Sequence, residues 1–154
     1  MAALLCYLAA VGVLTWVTME GLLGDSAYGF VLMLLMAFPV SIATLLVEIA
    51  LTPIVEAQSY EVRQVVYYLE LALPGVMLAV ILLMLLKSVR SRAVGRGLAW
   101  FAAACVLVSG VLIVLDDWEP RRLYGWPLLV CGLGMAAGLI AGRRVALPRG
   151  TEKE

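Results

Sequence analysis

The chain has 154 residues, 64% of them hydrophobic, and a mean hydropathy of +1.05. Its 11 Lys and Arg balance 11 Asp and Glu, and it holds no histidine. This composition excludes an ordinary soluble domain and a basic nucleic-acid-binding one, and it removes the commonest metal ligand and general base.

Five apolar runs follow in order: Ala2–Met19, Tyr28–Leu51, Val65–Leu86, Leu98–Leu115 and Tyr124–Gly142. Each is near the roughly 20 residues that a helix needs to cross a bilayer. None alternates polar and apolar residues as a barrel strand would, so the runs are predicted helices. The predicted fold class is all-α, an integral membrane helical bundle of five transmembrane helices. It forms a single membrane domain over residues 1–154, with 143–154 as a short cytoplasmic tail.

The first run lacks a basic leading segment and a cleavage site, so it reads as a span rather than a signal peptide. The second carries Pro39 near its middle and the third carries Pro74, and each should kink its helix or serve as a hinge. Beyond Pro39 the residues Ser41, Thr44 and Glu48 recur at threes and fours, which puts them on one helical face. The third run repeats the pattern with Tyr60, Arg63, Tyr67 and Glu70. As consecutive antiparallel helices the two can present these stripes to each other. An ionisable group inside a membrane is costly and marks a candidate site. Glu48 and Glu70 lie shallow, about 4–8 Å inside the boundary. Solvation there, or a contact with Arg63, competes with a polar cavity that binds a cation or relays protons.

The loop Lys87–Arg96 is purely basic, and Arg143-Arg144 opens the tail. The positive-inside rule puts both in the cytoplasm. Counting back over five spans gives an N-out/C-in topology. Segment Glu20–Ala27 is then inside, and 52–64 and Asp116–Arg122 are outside. The inner face carries eight Lys and Arg against Arg63, Arg121 and Arg122 outside. On this arrangement Tyr60, Tyr67, Tyr68, Trp118, Tyr124 and Trp126 mark the outer boundary, and Trp16, Tyr28 and Trp100 the inner one. Asp116-Asp117-Trp118-Glu119 with Arg121-Arg122 reads as a self-paired turn rather than a divalent-cation site.

The fifth run opens with Pro127 in its first turn and then carries Gly134, Gly138 and Gly142 at fours, a smooth ridge for close helix packing within the chain or between copies. Cys6, Cys105 and Cys131 sit singly in different spans and read as small packing residues. No catalytic set, metal site or cofactor is expected.

Around Tyr7-Leu8-Ala9-Ala10-Val11, Trp16, Tyr28-Gly29-Phe30-Val31 and Phe38-Pro39-Val40-Ser41, with a basic run closing the third span, the chain resembles a small actinobacterial multispan membrane protein family of uncharacterised function. The resemblance covers residues 7–92 and implies no activity. The Arg-, Ala-, Gly- and Val-rich usage fits a GC-rich bacterial genome, so the expected location is the bacterial inner (plasma) membrane, multi-pass. The leading expectation is a non-enzymatic protein acting through helix–helix or protein–protein contacts. Its partners would be the lipid bilayer and a homo-oligomer or partner membrane protein, with no nucleic acid. The alternative is a small cation- or proton-coupled transporter or channel using Glu48 and Glu70. An intramembrane enzyme comes third, since only those carboxylates could do chemistry.

Overall fold

The computed structural model describes residues 1–56, 60–88 and 91–145. Among these residues six helices follow in order: α1 (Ala2–Met19), α2 (Ser26–Met36), α3 (Val40–Glu56), α4 (Tyr60–Lys87), α5 (Arg92–Val114) and α6 (Glu119–Val145). Four of them are long and apolar enough to cross a membrane: α1, α4 over Val65–Lys87, α5, and α6 over Glu119–Gly142. The chain is an all-α, multi-pass integral membrane bundle. Its outside is as apolar as its inside: Leu46, Val65 and Leu133 are each more than 60% exposed. A surface of that kind suits lipid, not water.

The second apolar run is not one helix. It divides at Ala37–Pro39, where Pro39 supplies no N–H and the Phe38–Pro39 bond is cis. The 11 residues of α2 span only about 16 Å, too short for a hydrocarbon core of about 30 Å. The expected kink is therefore a break. Pro74, by contrast, lies within an unbroken α4. Pro127 lies two turns inside α6 rather than in its first turn, because that helix begins earlier, at Glu119.

Contacts between helix ends fix the directions. At one end of the bundle Ala3 of α1 meets Gly138 of α6. The same end gathers Leu82 and Leu86 of α4 against Ala3, Leu4 and Tyr7. At the opposite end Arg121 donates to Leu23 O, joining the α1–α2 turn to the α5–α6 turn. Residue 60 must stand at that second end, since α4 is roughly 42 Å long and its carboxyl end lies at the first. α2 enters from the second end and brings Met36 O to Tyr7 and the Phe38 ring to Phe101. Three residues separate Glu56 from Tyr60, so α3 must turn back. Together α2 and α3 form a helical hairpin with its tip inside the bundle. Among the described residues α3 packs along α4 and touches α2, and no other helix.

This reversal changes the expected alternation. Glu20–Ala27 and Asp116–Arg122 were expected on opposite faces, yet they touch. The amino end of α1 lies beside the far half of α6 rather than across the bundle from it, so the N-out/C-in pairing of ends does not hold. Trp16 and Tyr28 likewise stand at the Arg121 end, not with Trp100. One end holds Lys87, Arg92, Arg96 and Arg143-Arg144 and no acid among the described residues; the other holds Glu20, Asp25, Asp116, Asp117 and Glu119.

α1 sits at the centre although it comes first in the chain. It touches α2, α4, α5 and α6, and buries Tyr7, Ala10, Val11, Leu14 and Val17. α5 and α6 form the closest pair. Their approach depends on small residues: a Cβ on Gly125 would fall 2.7 Å from Gly110 O, and one on Gly110 would fall 3.0 Å from Leu129 N. Without a hydrophobic drive between helices in lipid, this close fit supplies the attraction. Two hydroxyls inside the bundle close on their own helices, Thr18 Oγ1 to Leu14 O at 2.7 Å and Ser109 Oγ to Cys105 O at 2.9 Å. Neither is then left unbonded in an apolar interior.

Candidate functional site

A helix broken in mid-bundle frees backbone carbonyls, and in transport proteins such carbonyls line sites. Here three carbonyls at or beside the α2–α3 tip have side-chain donors. Tyr7 Oη, wholly buried on α1, donates to Met36 O at 3.2 Å. Ser41 Oγ donates back to Leu34 O at 2.7 Å, a reach of seven residues that a straight helix does not permit. Thr44 Oγ1 donates to Ser41 O at 3.0 Å. Ser41 and Thr44, predicted as part of a polar stripe, thus serve the backbone of the tip. The Tyr7 hydroxyl was missed as a functional group. Its signal was present, because a lone tyrosine inside an apolar helix needs a partner for its hydroxyl.

The rest of the predicted stripe divides. Glu70 is half-buried on α4, with a partner, and Tyr67 is 38% exposed on the same helix. The side chains of Glu48 and Arg63 lie outside the described residues, as do segments 57–59 and 146–154, so the facing pair Glu48–Glu70 belongs to that part. Among the described residues no three His, Cys, Asp or Glu side chains gather as a metal site.

The glycine ridge points inward over two of its three members. A Cβ on Gly134 would lie 2.8 Å from Cys6 Sγ, and one on Gly138 would lie 3.0 Å from Ala3 N. Gly142 faces open space. Its sequence partner was α1, which the glycine spacing alone could not name.

At the acidic end a second cluster joins two turns. The guanidinium of Arg121 pairs with Asp116 Oδ2 at 3.0 Å, donates to Leu23 O, and lies 4.7 Å from the Tyr28 ring centroid and 4.9 Å from that of Trp118. Gly24, at φ +75°, leaves no room for a side chain beneath Trp118. The reading of Arg121 as a local neutraliser of Asp116 is only half of its role, because it also reaches 98 residues back. The backbone N–H of Trp118, and then Arg121, hold the Asp116 carboxyl below the usual carboxylate range. A depressed pKa contributes stability above the unfolded value and loses it as pH falls through the folded one. Arg121→Gln is therefore expected to flatten the acid limb of the thermal-unfolding profile. An acid limb identical to that of the parent chain would count against the pair.

At the basic end a small gap lies between α1, α4, α5 and α6, of about 10 Å³, room for about one water molecule. Its lining is apolar, which suits hydrocarbon and not a hydrated ion.

No protein-family model matches the chain, and neither a curated protein nor a solved structure matches it.

Proposed function

We propose that this protein is a non-enzymatic, multi-pass component of a bacterial inner membrane that acts through lateral helix contacts. The observation that carries this reading is the lone α3. Among the described residues it rests on α4 and α2 alone, and it presents Ile42, Leu46, Val47 and Ile49 outward. A short helix held on one side only is an incomplete packing unit, and a neighbouring membrane helix completes it. The bonded tip carbonyls and the inward glycine ridge support the same reading: Met36 O and Leu34 O already have side-chain donors, and Gly134 and Gly138 are already packed against α1. With the α2–α3 hairpin re-entering from the acidic side, four crossings put both ends of the chain at the basic, cytoplasmic face. Here every acid outside the helix interiors and the last residues, Glu20 and Asp25 included, stays outside.

Photo-cross-linking from Leu46 and Ile49 in membranes tests the proposal. Discrete protein adducts are expected from those positions, with the control position Leu133 on α6 giving only lipid adducts. Lipid adducts alone from α3 would overturn it. The carboxylate alternative, transport through Glu48 and Glu70, would gain only if Glu70→Gln altered a cation- or pH-dependent flux.

A further inference from the structure

The α2–α3 hairpin enters the bundle from the acidic end and stops inside it. Its tip stands beside Tyr7 and Phe101, through the bond from Tyr7 Oη to Met36 O and the contact of the Phe38 and Phe101 rings. The stretches from Tyr7 to Met19 on α1 and from Phe101 to Val114 on α5 lead from the tip to the acidic end. Each measures roughly 20 Å at 1.5 Å per residue, short of a hydrocarbon core of about 30 Å. Among the described residues, six helices therefore share the acidic-side part of the membrane, and only α1, α4, α5 and α6 continue to the basic side. The hairpin helices lie within hydrocarbon rather than above it, since Val31 of α2 and Ile42, Leu46, Val47 and Ile49 of α3 face outward.

The four continuing helices do not splay at the basic end to make up the difference. The gap between them there holds about 10 Å³, room for about one water molecule. A Cβ on Gly95 of α5 would fall 3.0 Å from Leu85 C on α4, and one on Gly138 of α6 would fall 3.0 Å from Ala3 N on α1.

We infer that this protein is a wedge that recognises membrane curvature, and that the lipid surface it fits is one convex toward its acidic end. A helix 10–12 Å across occupies about 80–110 Å², so the hairpin adds roughly 200 Å² to one leaflet only. A flat bilayer must distort its lipids around such a shape, and that distortion costs free energy. Where the bilayer curves with the acidic end outward, the acidic-side leaflet is the wider one, and the wedge fits with less distortion. The wedge needs the hairpin but no neighbour on α3, so it stands apart from the lateral-contact reading.

Sorting between a flat membrane and a thin tube tests the inference. The full chain is reconstituted into giant phosphatidylcholine vesicles, and a tube is drawn outward. A membrane-impermeant fluorescent maleimide on Asp117→Cys marks only molecules with the acidic end out, and on Ser88→Cys only those with the basic end out. Both positions are exposed, and the parent chain supplies the background of Cys6, Cys105 and Cys131. Density in the tube relative to the vesicle, normalised to a lipid dye, should exceed one for Asp117→Cys and fall below one for Ser88→Cys. The two ratios should differ by at least about threefold, a bias on the order of RT. Both variants carry the same helices in opposite orientation, so size or charge alone would move both densities the same way. Equal sorting of the two, or a greater enrichment of Ser88→Cys, would overturn the inference.

Discussion

Gly125→Ala is expected to destabilise the bundle by about 1–3 kcal/mol, the range for overpacking a close-fitted site. The new methyl would stand 2.7 Å from Gly110 O, 2.9 Å from Val114 N and 2.6 Å from Val114 Cγ2. Two of those atoms are backbone, so no rotamer change relieves the clash, and α5 and α6 must part along their longest contact. Alanine's better helix propensity offsets at most about 1 kcal/mol. The control is Gly142→Ala, whose methyl meets nothing within 4 Å. There the propensity term acts alone, and the variant should match or slightly exceed the parent chain. Unfolding in mixed detergent measures both. Equal midpoints for the two variants would mean that α5 and α6 do not approach as described.

Tyr7→Phe should cost about 1–3 kcal/mol, the penalty for leaving a buried acceptor without its donor. The ring stays, so its place in the buried core is kept. Only the bond from Tyr7 Oη to Met36 O is lost. That carbonyl lies at the tip of the hairpin, away from water, where an unmet backbone group is most costly. Ser41→Ala removes the donor to Leu34 O in the same tip, so the two effects are expected to couple rather than add. The same detergent unfolding reads each variant and the pair. A Tyr7→Phe midpoint within error of the parent chain would mean that Met36 O has another donor.

The helical membrane class was legible in the sequence because long apolar runs admit no other solvent. So was the break point, since Phe38-Pro39 interrupts the only run that fails to form one helix. The direction taken after the break was not legible. It depends on Tyr7 meeting Met36, 29 residues away, and on Phe38 meeting Phe101. Nothing in the local pattern distinguishes a kinked span from a hairpin. A single reversal then moves every earlier loop to the other face, so the placement of Glu20–Ala27 and Tyr28 changed while that of the segments after Val65 relative to one another did not. The glycine ridge shows the same limit. Its spacing announces close packing, but its partner, Cys6 and Ala3 on α1, is more than a hundred residues away. Arg121 was legible as a partner for Asp116 because the two are five residues apart; its bond to Leu23 O was not.

The central claim is that the second apolar run turns back inside the bundle, so that the α1–α2 and α5–α6 turns share a face. Labelling of single introduced cysteines with a membrane-impermeant maleimide tests it directly. Asp25→Cys and Asp117→Cys should label together in intact cells, with Ser88→Cys labelled only after permeabilisation and the parent chain supplying the background of its own Cys6, Cys105 and Cys131. If Asp25→Cys instead labels with Ser88→Cys and opposite Asp117→Cys, the second run crosses the membrane and the hairpin does not exist.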